Sequence, residues 1–558
     1  MYVADFETTT DADDCRVWAW GLFEIGSFNN FEYGNTIEGF IERLKELSKT
    51  KEKIYFHNLK FDGEFVLYHL LKNGWSHVQE KKERRNCSIM TLISDKGAFY
   101  SIELYFKVTK TRQYCVKLYD SLKVLPLSVE EIAKAFALPI SKLEIDYHEK
   151  RPIGHELTPE EVDYLRNDVE IVARALKIMF DQGLDRMTTA SNAMHDYKSI
   201  ISSKRFERWY PEPEYDEDVR QAYRGGFTYA APQYQGQEIG EGIVLDVNSL
   251  YPSVMYNKPL PYDDPIFFEG QYKPDSLYVL YVQMIRCQFE LKPGHIPTIQ
   301  LKNSLAFLPT EYLTSSQDED VVLCLTSVDL ALFFKHYDIW NLEFKCGWKW
   351  KASQILFRDY IDKWYAVKQK ATEEGNKPMR TISKLMLNSL YGKFGMNPNT
   401  RSKIPVLDRQ NDRVTYVYTP WETRKPVYIP LAAFVTAWAR YITISAAQAV
   451  YDRFLYADTD SLHLIGTEIP NNLDVDPVRL GAWKHEATFS KAKYLRAKTY
   501  VEVIDGKLNV TCAGLPAHCH DQVTFENFEI AATYAGKLNP VHTAGGIVLQ
   551  ETTFKISK

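Results

Sequence analysis

No stretch of the 558-residue chain repeats and none is of low complexity, so a solenoid or a disordered scaffold is excluded. Cysteine is scarce and scattered. The eight, at positions 15, 87, 115, 287, 324, 346, 512 and 519, form no CxxC pair, which argues against a disulfide framework or zinc ribbon and suits reduced thiols in a cytosol. Long apolar runs are missing too: none approaches the ~20 residues that cross a bilayer. The opening residues, MYVADFETTT, lack a basic or apolar leader. Membrane insertion and secretion are therefore not expected. Excess positive charge is also absent, the net being -6, which at first sight disfavours a partner of nucleic acid, whose phosphates are neutralised by Lys and Arg.

What is present points elsewhere. At 45% apolar and 14% aromatic, with 36 Tyr, the chain has the material for roughly three to five domains. Its charge is segregated: residues 356–395 hold eight Lys/Arg against four Asp/Glu, and residues 484–500 hold five against one. Basic patches on an acidic body fit an enzyme that grips a polyanion in one channel and holds metal-binding carboxylates elsewhere.

An alternating α and β pattern runs to about Gly183. It is closed by a helix signalled by Thr158-Pro159-Glu160-Glu161, a capping box with proline at the first helical position. Pro211-Glu212-Pro213-Glu214 punctuates the chain, and a second region begins near Tyr223. Helical patterns over about 354–371 and 379–392 predict an antiparallel helical hairpin. Short β-type runs, Lys403 to Leu407 and Arg413 to Tyr418, predict a protruding hairpin within the proline-containing stretch 397–426. Residues 428–449 return to a helical period, and a hairpin follows at Tyr456 to His463. His518-Cys519-His520 has no second ligand cluster and reads as a surface loop.

Two carboxylate sets emerge. In the first, the strand Met1 to Glu7 puts Asp5 and Glu7 on one face. A second strand, Ile54 to Phe56, leads into His57-Asn58-Leu59-Lys60-Phe61-Asp62, and the capped helix carries Tyr164 and Asp168 at i and i+4. Four carboxylates and a tyrosine suit two hard divalent cations and hydrolysis of a phosphodiester. This resembles a 3′-to-5′ proofreading exonuclease of the DEDD type with a tyrosine in its third motif, Asp5, Glu7, Asp62 and Asp168 taking the acidic positions.

In the second set, the apolar strand Gly242 to Asp246 delivers an acid into Val247-Asn248-Ser249-Leu250-Tyr251-Pro252. Tyr456-Ala457-Asp458-Thr459-Asp460-Ser461 supplies two more acids on one face or flanking a turn. Between them Arg380, Lys384, Asn388 and Tyr391 recur at helical spacing, which is what a triphosphate and its sugar would need. Strand-acid, Kx3NSxYG helix and DTDS hairpin, in that order, resemble motifs A, B and C of family-B DNA polymerases. Acids separated by one residue argue against a reverse transcriptase.

The resemblance extends over essentially the whole chain to the protein-primed branch, closest to that of small tailed bacteriophages. Tyr223-Arg224-Gly225-Gly226 matches its YxGG linker, implied to touch the template strand, and Lys498-Thr499-Tyr500 its KxY motif, implied to hold the primer terminus. The implied fold is α/β and α+β multidomain: a ribonuclease-H-like DEDD exonuclease followed by a right-hand polymerase of palm, fingers and thumb with two insertions. The implied boundaries are 1–185 exonuclease, 186–258 first palm part with the linker, 259–355 first insertion (terminal-protein region) and 356–395 fingers. The second insertion follows at 396–426, then 427–515 second palm part and 516–558 thumb. The thumb is short for the family, and the stretch Val501 to Cys512 is compact.

The expected activity is DNA-directed DNA synthesis with proofreading, primed by a terminal protein and displacing the non-template strand of a linear viral genome. Partners would be primer-template DNA, dNTPs and the terminal protein, the enzyme a monomer away from membranes in the host cell cytoplasm. Two Mg²⁺ per site, with Mn²⁺ able to substitute, would sit on Asp246, Val247 and Asp460, and on Asp5, Glu7, Asp62 and Asp168. Asp458 would support the first of these, and Tyr164 would orient the water at the second. Tyr251 would lie beneath the sugar, with Lys368, Arg380 and Lys384 clamping phosphate and Asn388 and Tyr391 completing the nucleotide site. Asn58 and Phe61 would hold a single strand, and Tyr223, Arg224, Gly225, Gly226, Lys498 and Tyr500 the DNA. The alternatives are a nuclease, or a DNA-binding viral protein, with an inactive polymerase half. Neither would be expected to keep both sets intact.

Overall fold

The computed structural model describes residues 1–27, 29–147, 149–300 and 312–557. The N-terminal region is built on an eight-stranded sheet ordered Phe31–Gly34, Val17–Glu24, Tyr2–Thr8, Lys53–Phe56, Gln113–Asp120, Phe99–Val108, Ser88–Ile93, Ser76–His77. Its middle is parallel, Lys53–Phe56 pairing with Tyr2–Thr8 on one side and Gln113–Asp120 on the other. Parallel neighbours need a helical crossover, and Ile37–Leu47 and Leu59–Lys72 are the helices beside them in sequence. The expected capped helix is Pro159–Asp181: the Thr158 side chain accepts from the Glu161 N–H, and the Glu161 carboxylate accepts from the Thr158 N–H. It packs on Tyr2–Thr8 and Val17–Glu24 and stops where Gly183 takes φ +74°.

A second sheet of seven strands is ordered Lys507–Cys512, Thr499–Ile504, Trp483–Arg496, Gly242–Val247, Ser461–Ile465, Phe454–Asp458, Thr228–Ala230. Each neighbouring pair is antiparallel. The compact stretch Val501 to Cys512 is the edge hairpin of this sheet. Helix Ile429–Ala449 packs against its strands and against Leu250–Asn257. This helix corrects the expectation that no apolar run is long enough to span a bilayer: its 21 residues pass that test by length and hydropathy. It is apolar because it is interior, with 78% of the window buried. Arg440 at its middle is held bidentate by Asp329 at 2.7 and 3.0 Å.

Between residues 259 and 355 the chain forms a four-stranded sheet, Leu260–Glu269, Tyr337–Ser353, Leu280–Leu291 and Val321–Thr326. Residues 301–311 of that stretch lie outside the described residues. The helical pair is Arg358–Glu373 and Lys377–Ser389. The first starts later than expected because the strand before it runs to Ser353. The second starts earlier, because the Asn376 side chain caps it by accepting from the Met379 N–H with Pro378 in the first turn. It ends at Ser389, so Tyr391 lies in a separate 3₁₀ turn, Tyr391–Lys393, rather than on the helix.

The hairpin Lys403–Asp408 with Arg413–Tyr418 forms, but it does not protrude freely. Its tip docks on helix Leu59–Lys72: Asp412 accepts from Lys72 at 2.5 Å and from the Tyr68 hydroxyl at 3.0 Å, and the Tyr416 hydroxyl donates to Glu64 at 2.7 Å. The C-terminal hairpin, Thr533–Thr543 with Gly546–Lys555, returns to the same helix. His518-Cys519-His520 lies at the surface, with His518 exposed, but as part of the 3₁₀ helix Ala517–Gln522 rather than a loop, and with Cys519 fully buried.

Candidate active sites

The first site opens at the middle of the eight-stranded sheet. Asp5 and Glu7 project from Tyr2–Thr8, and Asp62 lies in the first turn of Leu59–Lys72. That turn is fixed by Asp120, whose Oδ1 accepts the Asn58 and Leu59 N–H groups at 3.1 and 3.3 Å while Asn58 adopts φ +79°. The helix Pro159–Asp181 brings Tyr164 and Asp168 to the same cavity, about 450 Å³, lined also by Phe61. Asn58 is exposed and does not line it, and Asp62 is buried behind the lining, close enough to Asp5 to feel its charge.

Burying like charges has the expected consequence. Asp5 is pushed up to about 7 by burial and then by the Asp168 carboxylate. Burial, then Asp5, holds Glu7 and Asp62 well above the carboxylate range. Asp168 is raised by burial despite Lys142, whose ammonium lies 2.7 Å from its Oδ2. Its Oδ1 is buried without a hydrogen-bond partner. An orphaned carboxylate oxygen among four acids is an oxygen donor set suited to hard divalent cations. Among the described residues, however, no three His, Cys, Asp or Glu side chains already converge as a metal cage.

Sequence reasoning missed Lys142 and Tyr147, whose hydroxyl is 2.6 Å from that of Tyr164. Both lie in a loop without periodicity. It also missed Leu538, Leu549 and Glu551, which line this cavity from the C-terminal hairpin.

The second site is a rung across five strands of the other sheet. Lys484, Asp246, Ser461, Asp458 and Thr228 lie opposite one another in register, so their side chains share a face. Asp460 follows in the turn. Thr459 takes φ +61°, costly for a β-branched residue, and is held there by its N–H to Phe227 O at 2.6 Å and by Thr443 Oγ1 donating to its carbonyl at 2.7 Å. The Asp460 carbonyl accepts from Val247 N–H at 2.8 Å, which sets Asp460 beside Asp246.

The three acids are not equivalent. Asp458 is occupied, its oxygens accepting from Lys498 Nζ at 2.8 and 2.9 Å and from Thr228 Oγ1 at 3.0 Å. Asp460 is pushed up to about 6 by burial, then by Asp246 and more weakly by Asp458. Burial raises Asp246 despite Lys484 at 3.5 Å. Asp246 and Asp460 face a cavity of about 420 Å³ lined also by Val247, Tyr251, Lys368, Lys384, Asn388, Tyr391 and Lys484.

Burial, then Lys384 and Arg380, lowers Lys368. Burial, then Arg380 and Lys484, lowers Lys384. Cations crowded against one another around a polar cavity are arranged for an anion. Arg380 contributes from just outside the lining. Tyr251 stacks on Tyr391 at 4.3 Å, 24° between planes. Lys484 had been counted only in a basic stretch; the strand register alone brings it to Asp246.

The segment Tyr223 to Gly226 reaches this site from below. Arg440 donates to the Arg224 and Gly225 carbonyls at 2.8 and 2.7 Å, and Arg224 donates to Cys324 O at 3.0 Å. Tyr223 is partly buried in the main core. Lys498 takes φ +55°, and Tyr500 packs 4.9 Å from Tyr456. The two cavities share no residue.

With this geometry fixed, comparison with known proteins is informative. A family model described as DNA polymerase type B, organellar and viral, matches residues 44–153 and 144–476. The DNA polymerase of Bacillus phage Nf is 47% identical over 578 residues, covering 100% of this chain and 99% of that one. That of Bacillus phage phi29 is 46% identical with the same coverage. The solved structure of phi29 DNA polymerase complexed with primer-template DNA superposes with a TM-score of 0.94 at 45% identity, covering 100% of both chains. Its ternary complex with incoming nucleotide substrates gives 0.93.

Proposed function

The chain belongs to the type B DNA polymerases of the organellar and viral kind, among the phi29-type phage enzymes, and from that premise we propose that it extends DNA at the second site and proofreads at the first. In this reading residues 1–185 are a ribonuclease-H-like exonuclease domain and the seven-stranded sheet is the palm. The 356–395 helical pair is the fingers, 516–558 the thumb, and 259–355 and 396–426 the two insertions.

Asp246, Asp460 and the Val247 backbone would hold one pair of divalent ions, and Asp5, Glu7, Asp62 and Asp168 the other. Mg²⁺ bound there, or Mn²⁺ in its place, would lower the pKa of the attacking hydroxyl or water and neutralise charge on phosphate. Lys368, Lys384 and Arg380 bind the triphosphate. Tyr251, stacked on Tyr391, forms the floor beneath the sugar, and Asn388 borders it. Asp458 docks Lys498, which with Tyr500 holds the primer terminus, while Tyr223, Arg224, Gly225 and Gly226 carry the template strand. At the first site Lys142 balances Asp168, Tyr164 orients the water, and Phe61 with Asn58 receives the frayed strand.

Initiation on a terminal protein, strand displacement and monomeric action in the host cytoplasm complete the reading. The observation that carries it is the rung Lys484, Asp246, Ser461, Asp458, Thr228, which opens on a cavity walled by Lys368, Lys384 and Lys484. The test is separation of the two activities. Asp246→Ala or Asp460→Ala should abolish primer extension and leave degradation of single strands, and Asp5→Ala with Asp62→Ala should do the reverse. Loss of both activities in a folded variant would refute the two-site reading. Transfer of a labelled nucleotide to the cognate terminal protein tests the mode of priming.

A further inference from the structure

One rung behind the acids, the seven-stranded sheet buries an ionisable pair that the proposed chemistry leaves unused. Val244, His463 and Tyr456 lie opposite one another two residues back from Asp246, Ser461 and Asp458, so both rungs face the same side. His463 is 2% and Glu502 4% exposed. Nδ1 of His463 lies 2.6 Å from Glu502 Oε1, and the Tyr494 hydroxyl donates to that same oxygen at 2.6 Å. On the other side of the ring, Nε2 lies 3.4 Å from Ser461 Oγ, in the centre of the acid rung. In the neutral ring, with the Nδ1 proton engaged by the carboxylate, Nε2 is left to accept the serine hydroxyl, which the Asp458 carbonyl also approaches at 3.4 Å.

A second branch leaves the same ring. Tyr456 packs edge-on against His463 at 5.1 Å and stacks on Tyr494 at 5.5 Å. Its hydroxyl accepts the Lys498 backbone N–H at 2.9 Å, and the ammonium of Lys498 grips both Asp458 oxygens. Apolar side chains of equal volume would serve stability as well as a buried pair does. They would set neither the direction of the Ser461 hydroxyl nor the seat of the Lys498 loop.

We infer that His463 and Glu502 form a positioning pair for DNA synthesis, fixing Ser461 between the two acids and, through Tyr456, docking Lys498 on Asp458. The inference rests on the polymerase reading above. It is tested on the full-length chain with Mg²⁺ by measuring primer extension and single-strand degradation side by side.

Glu502→Gln keeps an oxygen for both donors and should extend nearly as the wild type does. In Glu502→Ala, kcat for extension should fall about 10- to 100-fold, the usual effect of removing a group that orients a ligand-bearing side chain. The KM for dNTP and the rate of degradation should hold. His463→Asn keeps an N–H for Glu502 but cuts the link to Ser461, so it should lose extension in the same way even if Glu502→Ala misfolds. Wild-type extension by His463→Asn, or a parallel fall of extension and degradation in both variants, would overturn the inference. A wild-type chain that extends no primer would instead overturn the polymerase reading, and the pair's role with it.

Discussion

Gly226 is where the smallest change should have the most legible effect. A Cβ built there would meet Thr459 Oγ1 at 2.7 Å, Thr459 Cγ2 at 2.9 Å and the Tyr251 hydroxyl oxygen at 3.0 Å. None of these can yield freely. Thr459 is locked at φ +61° by hydrogen bonds to its N–H and its carbonyl, and the Tyr251 ring is stacked on Tyr391. Relief must therefore tilt the Asp458/Asp460 turn or the Tyr251 wall of the second cavity. Overpacking of this kind costs about 1–3 kcal/mol. At about 1.4 kcal/mol per tenfold in rate, that corresponds to a roughly 5- to 150-fold loss if the strain falls on the reacting geometry. Single-turnover extension by Gly226→Ala, with single-strand degradation as the internal standard, measures it. Gly240→Ala, outside the segment that carries the template, is the control, since nothing lies within 4 Å of a Cβ at Gly240. Unchanged extension by Gly226→Ala, or equal losses in both variants, would refute the close-approach argument.

Four further outcomes are expected. Tyr251→Val should raise ribonucleotide incorporation relative to deoxyribonucleotide by opening the floor beneath the sugar, read by competition in primer extension. Acidification should weaken degradation before synthesis. Burial and neighbouring carboxylates push Asp5 up to about 7 and Asp460 to about 6, and protons compete with divalent cations for the ionised forms, so the Mg²⁺ requirement of degradation should rise first as pH falls. The same raised carboxyls bind protons in the native chain that the unfolded chain has already released. Their ionisation should therefore cost the metal-free protein stability as pH rises from about 4 to 7, and since Mg²⁺ relieves that cost the gain in Tm on adding Mg²⁺ should grow with pH. Replacing residues 399–419 with a short Gly/Ser turn should leave degradation and short gap filling intact while losing strand displacement, read on a blocked template with a trap for released enzyme.

The sequence made the acids legible because their geometry is local. A period of two aligns Asp5 with Glu7, a helical period aligns Tyr164 with Asp168, and the Thr158 box marks a helix start whose bonds all lie within three residues. What escaped it depends on the third dimension. Lys142 reaches Asp168 from an aperiodic loop, and Lys484 reaches Asp246 only through strand register. Leu538 and Leu549 line a cavity whose acids begin at residue 5. Tyr391 fits the helical spacing of Arg380 and Lys384, yet the helix stops at Ser389. The helix Ile429–Ala449 was legible from its period, but its bilayer-spanning length of apolar sequence was not, because Thr436, Arg440 and Thr443 interrupt the run. Each of these polar groups is bonded within the fold.

One helix explains why mutation should separate the insertion hairpin from the first site although both rest on it. Leu59–Lys72 carries Asp62 in its first turn and receives the hairpin tip further along, through Glu64, Tyr68 and Lys72. The turn bearing Asp62 owes its position to Asp120, which caps Asn58 and Leu59 from the sheet, and Leu59, Val66, Leu67 and Leu70 are buried in a core that the helix shares with that sheet and that Val414 of the hairpin also enters. Removing the hairpin takes from this helix the Lys72 ion pair, the Tyr68 hydrogen bond, the Tyr416 bond to buried Glu64 and the packing of Val414, but leaves the cap untouched. The exposed ion pair contributes about 0–1 kcal/mol, and every one of these losses falls after Asp62 in the helix, so the Asp120 cap should still set where Asp62 stands. In the reading proposed above the hairpin therefore uses this helix as an anchor for closing around DNA, and the acid at the helix start stays in place whether the hairpin is docked or absent.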